Sequence, residues 1–180
     1  MNRHGLCHWR PLDRARLSRL PRWLAPWLSD PGSLTARLQQ RFHGRLEVRL
    51  LAPRRVPLGR SEGRLLGLPR GRRVRLREVL LCVDGIPRVY ARSLLPDGSL
   101  RGRMYPLARL GGRPLGGWLF AQPDLLRDHM DISPVPLPVG LAPDCATAGP
   151  GRAWARRSRF RVAGAPLLVT EAFLAALEST

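Results

Sequence analysis

At 180 residues the chain suffices for one domain with its own core, and Cys7, Cys82 and Cys145 are too few and too scattered for a disulfide framework. The formal charge is +18, and all 31 basic residues are arginine, a bias that argues less for a nucleic-acid surface than for a basic protein whose field attracts small anions. No apolar run approaches the roughly 18 residues of a membrane span or follows a basic start as in a secretory leader, so the expectation is a cytoplasmic protein without membrane insertion.

The arm 1–28 is broken by prolines and predicts a short helix near 12–20. Trp23 and Trp27 stand four apart and read as core-packing aromatics. In 29–44, Ser33 can cap a helix whose apolar positions are Leu34, Leu38 and Phe42, and Gly44 follows as a stop. A short strand at 45–53 and a second near 54–58 precede a Gly-, Pro- and Arg-rich loop reaching 75, with solvated arginines. "LREVLLCVDGIPRVYARSLLP", from Leu76 to Pro96, reads as a hairpin turning at Asp84–Gly85. Helical pieces are expected over 99–131: a turn at "YPLARLGG", a helix at "RPLGGWLFAQ" and another at "PDLLRDHMD". Pro106, Pro114 and Pro123 sit where helices begin. Residues 133–151 read as a Pro/Gly loop. A second hairpin pairs 156–162 with 166–174 about "AGA", its arginines on one solvated face. Sequence-adjacent strand pairs with helices between them predict a single α+β domain over 1–180 with an antiparallel sheet.

The first hairpin raises a question of charge. If Val83 pairs with Ile86 or with Arg88, Arg77 and Arg92 share a sheet face. Two guanidinium groups about 5 Å apart repel by roughly 3 kcal/mol at an effective dielectric near 20, so something acidic should answer them. Glu171 shares its strand face with Leu167, Val169 and Phe173 and is one candidate. It can form an internal ion pair that only holds the sheet. Alternatively it closes the far end of a pocket that takes a small ligand with carboxylate and hydroxyl groups. Other temptations are weaker. His4, Cys7 and His8 lack a fourth metal ligand, "RLGGRPLGG" has no strand before it, and His129 reads as an exposed helix residue.

"LREVLLCVDGIPRVYARSLLP", "RPLGGWLF" and "GRAWARRSRFRVAGAPLLVTEAFL", in this order and spacing, resemble the chorismate lyase family, with a fainter trace at "SLTARLQQRF". These enzymes open ubiquinone biosynthesis by converting chorismate to 4-hydroxybenzoate and pyruvate. The resemblance implies a six-stranded antiparallel sheet, helices closing over a buried pocket, and no cofactor. It implies that Arg77 grips the ring carboxylate and Arg92 the pyruvyl carboxylate. Leu34 and Leu115 would offer backbone N–H groups, and Glu171 would face the ring hydroxyl. Glu171 then acts as general base or as an orienting group, or the hydrogen passes within the substrate and needs no base. The expected partners are chorismate and 4-hydroxybenzoate, with no specific nucleic acid, and the expected state is a monomer. The loop 133–151 is longer than the family pattern and should project outward. The reading from another class is a non-catalytic sensor domain, since effector-binding domains of some transcription regulators have a similar fold.

Overall fold

The structure is a computed structural model that describes residues 7–51, 53–141 and 143–178; His4 of the "HGLCHW" cluster lies outside them. The elements in chain order are β1 (Arg10–Pro11), α1 (Arg14–Leu17), α2 (Ala25–Ser29), α3 (Leu34–Phe42), β2 (Leu46–Leu50), β3 (Arg54–Pro57), α4 (Arg60–Leu66), β4 (Arg73–Val83), β5 (Ile86–Leu95), a 3₁₀ segment (Gly102–Arg109), α5 (Leu115–Leu119), β6 (Leu126–Pro136), β7 (Arg152–Val162) and β8 (Ala165–Phe173). All eight strands join one antiparallel sheet in the order β1-β6-β7-β8-β5-β4-β2, with β3 also on β4. The sheet has eight strands rather than the six that the resemblance implied: the strand expected near 54–58 is present as β3, while β1 and β6 were not expected as strands.

Both hairpins turn on two residues. Asp84 and Gly85 have φ of 50° and 77°, and Ala163 and Gly164 have φ of 50° and 76°. These left-handed values match the strand twist across a two-residue turn. Ser33 caps α3 as expected, but His43, with φ 49°, ends it one residue before Gly44.

Three expectations are corrected. Residues 60–66 form α4 rather than loop: Glu62 Oε2 accepts the Gly59 N–H at 2.8 Å, and Gly67 closes the helix in the left-handed region. "PDLLRDHMD" does not form a helix; most of it begins β6, which runs on through Pro136 and takes the first residues of the expected Pro/Gly loop. Its acids find partners across the sheet, since Asp128 accepts Arg159 Nε at 2.6 Å and Arg161 Nε at 2.8 Å. Pro134 and Pro136 are tolerated because β6 is an edge strand there, β1 covering only Asp131 and Ile132. Finally, the arginines of β7 are not a solvated face: Arg156 and Arg157 are buried. His129 lies on β6 with Nε2 2.7 Å from an Asp131 oxygen.

The sheet packs on both faces. Helices α2 and α3 bring Leu24, Trp27, Leu28, Leu34 and Leu38 onto one face against Val79, Leu81, Val89 and Phe173, with Trp23 at their margin. The 3₁₀ segment and α5 cover the same side through Met104, Leu107, Leu115 and Leu119. On the opposite face Leu66 of α4 meets Leu76, Leu94 and Leu168.

Candidate active site

Between the first face of the sheet and helices α3 and α5 lies a pocket. Its floor includes Arg77 and Val79 of β4, Ala91 and Ser93 of β5, and Val169 and Glu171 of β8. Its cover includes Leu34 and Thr35 at the start of α3 and Leu115, Gly116, Leu119 and Phe120 of α5. The cavity is about 40 Å³, which holds roughly two or three water molecules. A ligand larger than that needs a wall to move. The two covering helices meet at Gly116. A Cβ there would stand 3.1 Å from both Ser33 Oγ and Thr35 Oγ1, so glycine is what lets them close. Leu34 and Leu115 are the first residues of their helices, where a backbone N–H has no intrahelical acceptor.

Arg77 is buried with no acid against it. Its Nη2 donates to the Gly111 carbonyl at 2.9 Å and the Arg113 carbonyl at 2.8 Å. Its Nε is buried without an acceptor. Burial alone holds the guanidinium below the ordinary arginine value. Among the described residues no carboxylate lies within ion-pair distance of it.

Glu171 sits across the floor with one oxygen engaged. Arg156, fully buried, donates from Nε to Glu171 Oε2 at 2.6 Å. Arg156 is itself fixed by the carbonyls of Trp27 at 3.1 Å and Asp30 at 2.6 Å. The internal ion pair and the pocket, held open as alternatives by the sequence, thus coexist.

Arg92 does not line this pocket, and the expected pairing with Arg77 is corrected. The register opens at Val83↔Ile86 but shifts between Leu81 and Cys82, leaving Arg88 as an extra residue on β5. The bulge sets Arg88 over the Phe42 ring at 4.1 Å and flips the parity of everything beyond it. Arg77 therefore faces Ser93, and Arg92 faces Glu78 on the other side of the sheet. There Arg92 Nη1 meets Glu62 Oε1 at 2.6 Å, both side chains buried. Glu78 accepts the Tyr90 hydroxyl and pairs with Arg54 at 2.8 Å. Burial and the Glu78 carboxylate push the Tyr90 hydroxyl strongly up.

Sequence reading missed Arg127 and Arg156. Arg127 lines the pocket from β6, and burial, reinforced by the Arg156 charge, lowers it to about 10. The helical reading of "LLRDHMD" hid it. A usable signal was present: the acids Asp128 and Asp131 are the partners that the arginine-rich β7 needs in a neighbouring strand.

The family model described as chorismate lyase matches residues 7–178. A probable chorismate pyruvate-lyase from Aromatoleum aromaticum is 44% identical over 168 residues, covering 91% of this chain and 90% of that one. The chorismate pyruvate-lyase of Erwinia tasmaniensis is 38% identical over 153 residues, covering 85% and 79%. Among solved structures, the C-terminal domain of the histidine utilization repressor from Pseudomonas syringae superposes with a TM-score of 0.54 at 11% identity, covering 76% of this chain and 96% of that one. The effector domain of PhnF from Mycobacterium smegmatis gives 0.51 at 16% identity, covering 79% and 87%. At such identities the regulators share the fold alone.

Proposed function

The chain belongs to the chorismate lyase family, and we infer from this membership together with the pocket that it is a carbon–oxygen lyase converting chorismate to 4-hydroxybenzoate and pyruvate. In that family this reaction is the step toward ubiquinone. The observation that carries the reading for this chain's own residues is Arg77: a buried guanidinium lining a pocket, with no carboxylate against it among the described residues, is answered by an anionic ligand.

In the proposed complex Arg77 binds the ring carboxylate and Glu171 takes the ring hydroxyl on the oxygen that Arg156 leaves free. The N–H groups of Leu34 and Leu115 add hydrogen bonds from the covering helices. Loss of the C4 hydrogen and cleavage of the C3–O bond make the ring aromatic, so the substrate supplies most of the driving force. The protein's work is to orient the two departing groups, meet developing charge with fixed donors and keep water out. With Glu171 held in an ion pair, the C4 hydrogen passes to the enolpyruvyl methylene within the substrate, and the carboxylate orients. The proposed state is a monomer acting in the cytoplasm. No helix among the described residues is long and apolar enough to cross a membrane.

The direct test of the pocket is Arg77→Ala. Its affinity for 4-hydroxybenzoate, read by calorimetry, should fall at least tenfold, the scale of a lost charge-assisted hydrogen bond, while the circular dichroism spectrum is unchanged. Wild-type affinity in that variant would remove Arg77 from the site.

A further inference from the structure

The scheme above leaves Arg127 without a task, although it sits in the pocket wall beside Glu171, Phe120 and Phe160. The register of β6 against β7 shifts between Arg127 and His129, leaving Asp128 as the extra residue. Bulges of this kind re-aim a side chain, and here Arg127 falls opposite Phe160 on the pocket face. Its guanidinium carbon lies 4.6 Å over the Phe160 ring and 5.6 Å from that of Phe120. Nη1 donates to the Asp30 carbonyl at 3.1 Å, and Nε is buried without an acceptor. The nearby acids are engaged elsewhere, Glu171 by Arg156 and Asp30 by Arg37. Among the described residues no carboxylate forms an ion pair with Arg127.

Chorismate carries two carboxylates, and Arg77 answers only one. The strand order β4-β5-β8-β7-β6 separates the backbones of Arg77 and Arg127 by four inter-strand steps, roughly 19 Å. Both side chains line the same pocket, so the two guanidinium groups can hold two separate anionic groups of one ligand.

We propose that Arg127 binds the enolpyruvyl carboxylate of chorismate and is the residue by which the pocket distinguishes substrate from aromatic product. The inference rests on the chorismate reading above. When the C3–O bond breaks, its electron pair goes to the enolpyruvyl oxygen, the C4 hydrogen goes to the methylene carbon, and the fragment leaves as pyruvate with the carboxylate that Arg127 held. The product 4-hydroxybenzoate keeps only the carboxylate on Arg77. Arg127 therefore contributes to binding chorismate and its transition state, not to binding 4-hydroxybenzoate.

The experiment compares wild type, Arg127→Gln and Arg127→Lys by chorismate kinetics and by calorimetric titration with 4-hydroxybenzoate. For Arg127→Gln the chorismate KM should rise ten- to a hundredfold, as for a lost charge-assisted pair, while 4-hydroxybenzoate affinity stays within twofold. Arg127→Lys keeps the charge without the planar fork and should fall between. It carries the test alone if the glutamine variant does not fold. Equal weakening toward both ligands would assign Arg127 a structural role and overturn the proposal, as would unchanged kinetics. A wild-type protein that does not turn over chorismate would instead overturn the reading on which the proposal rests.

Discussion

Two buried arginines show how differently the same side chain can be used. Among the described residues Arg77 donates to backbone carbonyls and pairs with no carboxylate. Arg92 spends its charge on Glu62 inside the protein. Removing one member of a buried pair costs about 3–5 kcal/mol because the other charge stays buried. Arg92→Ala should accordingly lower unfolding free energy by roughly 3 kcal/mol in urea while leaving the chorismate KM close to wild type; a raised KM in a stable variant would return Arg92 to the site. Glu171→Gln makes a different split. A general base contributes on the order of a hundredfold or more, so an orienting Glu171 predicts a kcat loss below roughly tenfold. The same variant should melt at a lower temperature, because fully buried Arg156 loses its carboxylate. Leu34, Arg77, Leu115 and Glu171, which the resemblance marked, line one pocket. The partner of each charge was not readable, because it depends on parity along strands that bulges change.

At the scale of elements, the hairpin turns and α3 were legible because Asp-Gly, Ala-Gly and Ser-capped signals are local. The bulges at Arg88 and Asp128 were not, since an extra residue is unpaired only relative to a partner strand. Those two bulges decide the site: one sends Arg92 away and the other brings Arg127 in. Helix α4 was hidden by its glycines: Gly59 and Gly67 serve as its two ends, and Gly63 lies within it. The closure of the pocket also belongs to this scale. Helices α3 and α5 touch through Gly116, where Ala would meet two hydroxyl oxygens at 3.1 Å. Gly116→Ala should part the covering helices by a few tenths of an ångström, speed 4-hydroxybenzoate release in stopped-flow and weaken its affinity several-fold. Slower release would mean that these helices are not the moving wall.

For the whole molecule, the excess of arginine sets how stability follows pH. Asp97 is held below the ordinary aspartate value of 3.8 by hydrogen bonds from Arg55 and Arg75, which outweigh its slight burial. Burial pushes Asp30 and Asp128 up, but hydrogen bonds from Arg37 and Gly32, and from Arg159 and Arg161, hold both below it. Carboxylates lowered in the folded state stabilise it above their unfolded values, and that contribution is lost as pH falls through the folded ones. The melting temperature should hold from pH 7 to about 5 and drop below about 4, faster as the +18 charge grows and repels itself. A flat melting profile down to pH 2 would show that these pairs add nothing.

The most direct measurement is to mix the purified protein with chorismate, without added metal or nucleotide, and follow 4-hydroxybenzoate and pyruvate by chromatography against a protein-free control. Both products should appear in equal amounts at a rate proportional to protein. Binding of 4-hydroxybenzoate with no turnover would contradict it and make the chain a ligand-binding relative of the regulators that share its fold.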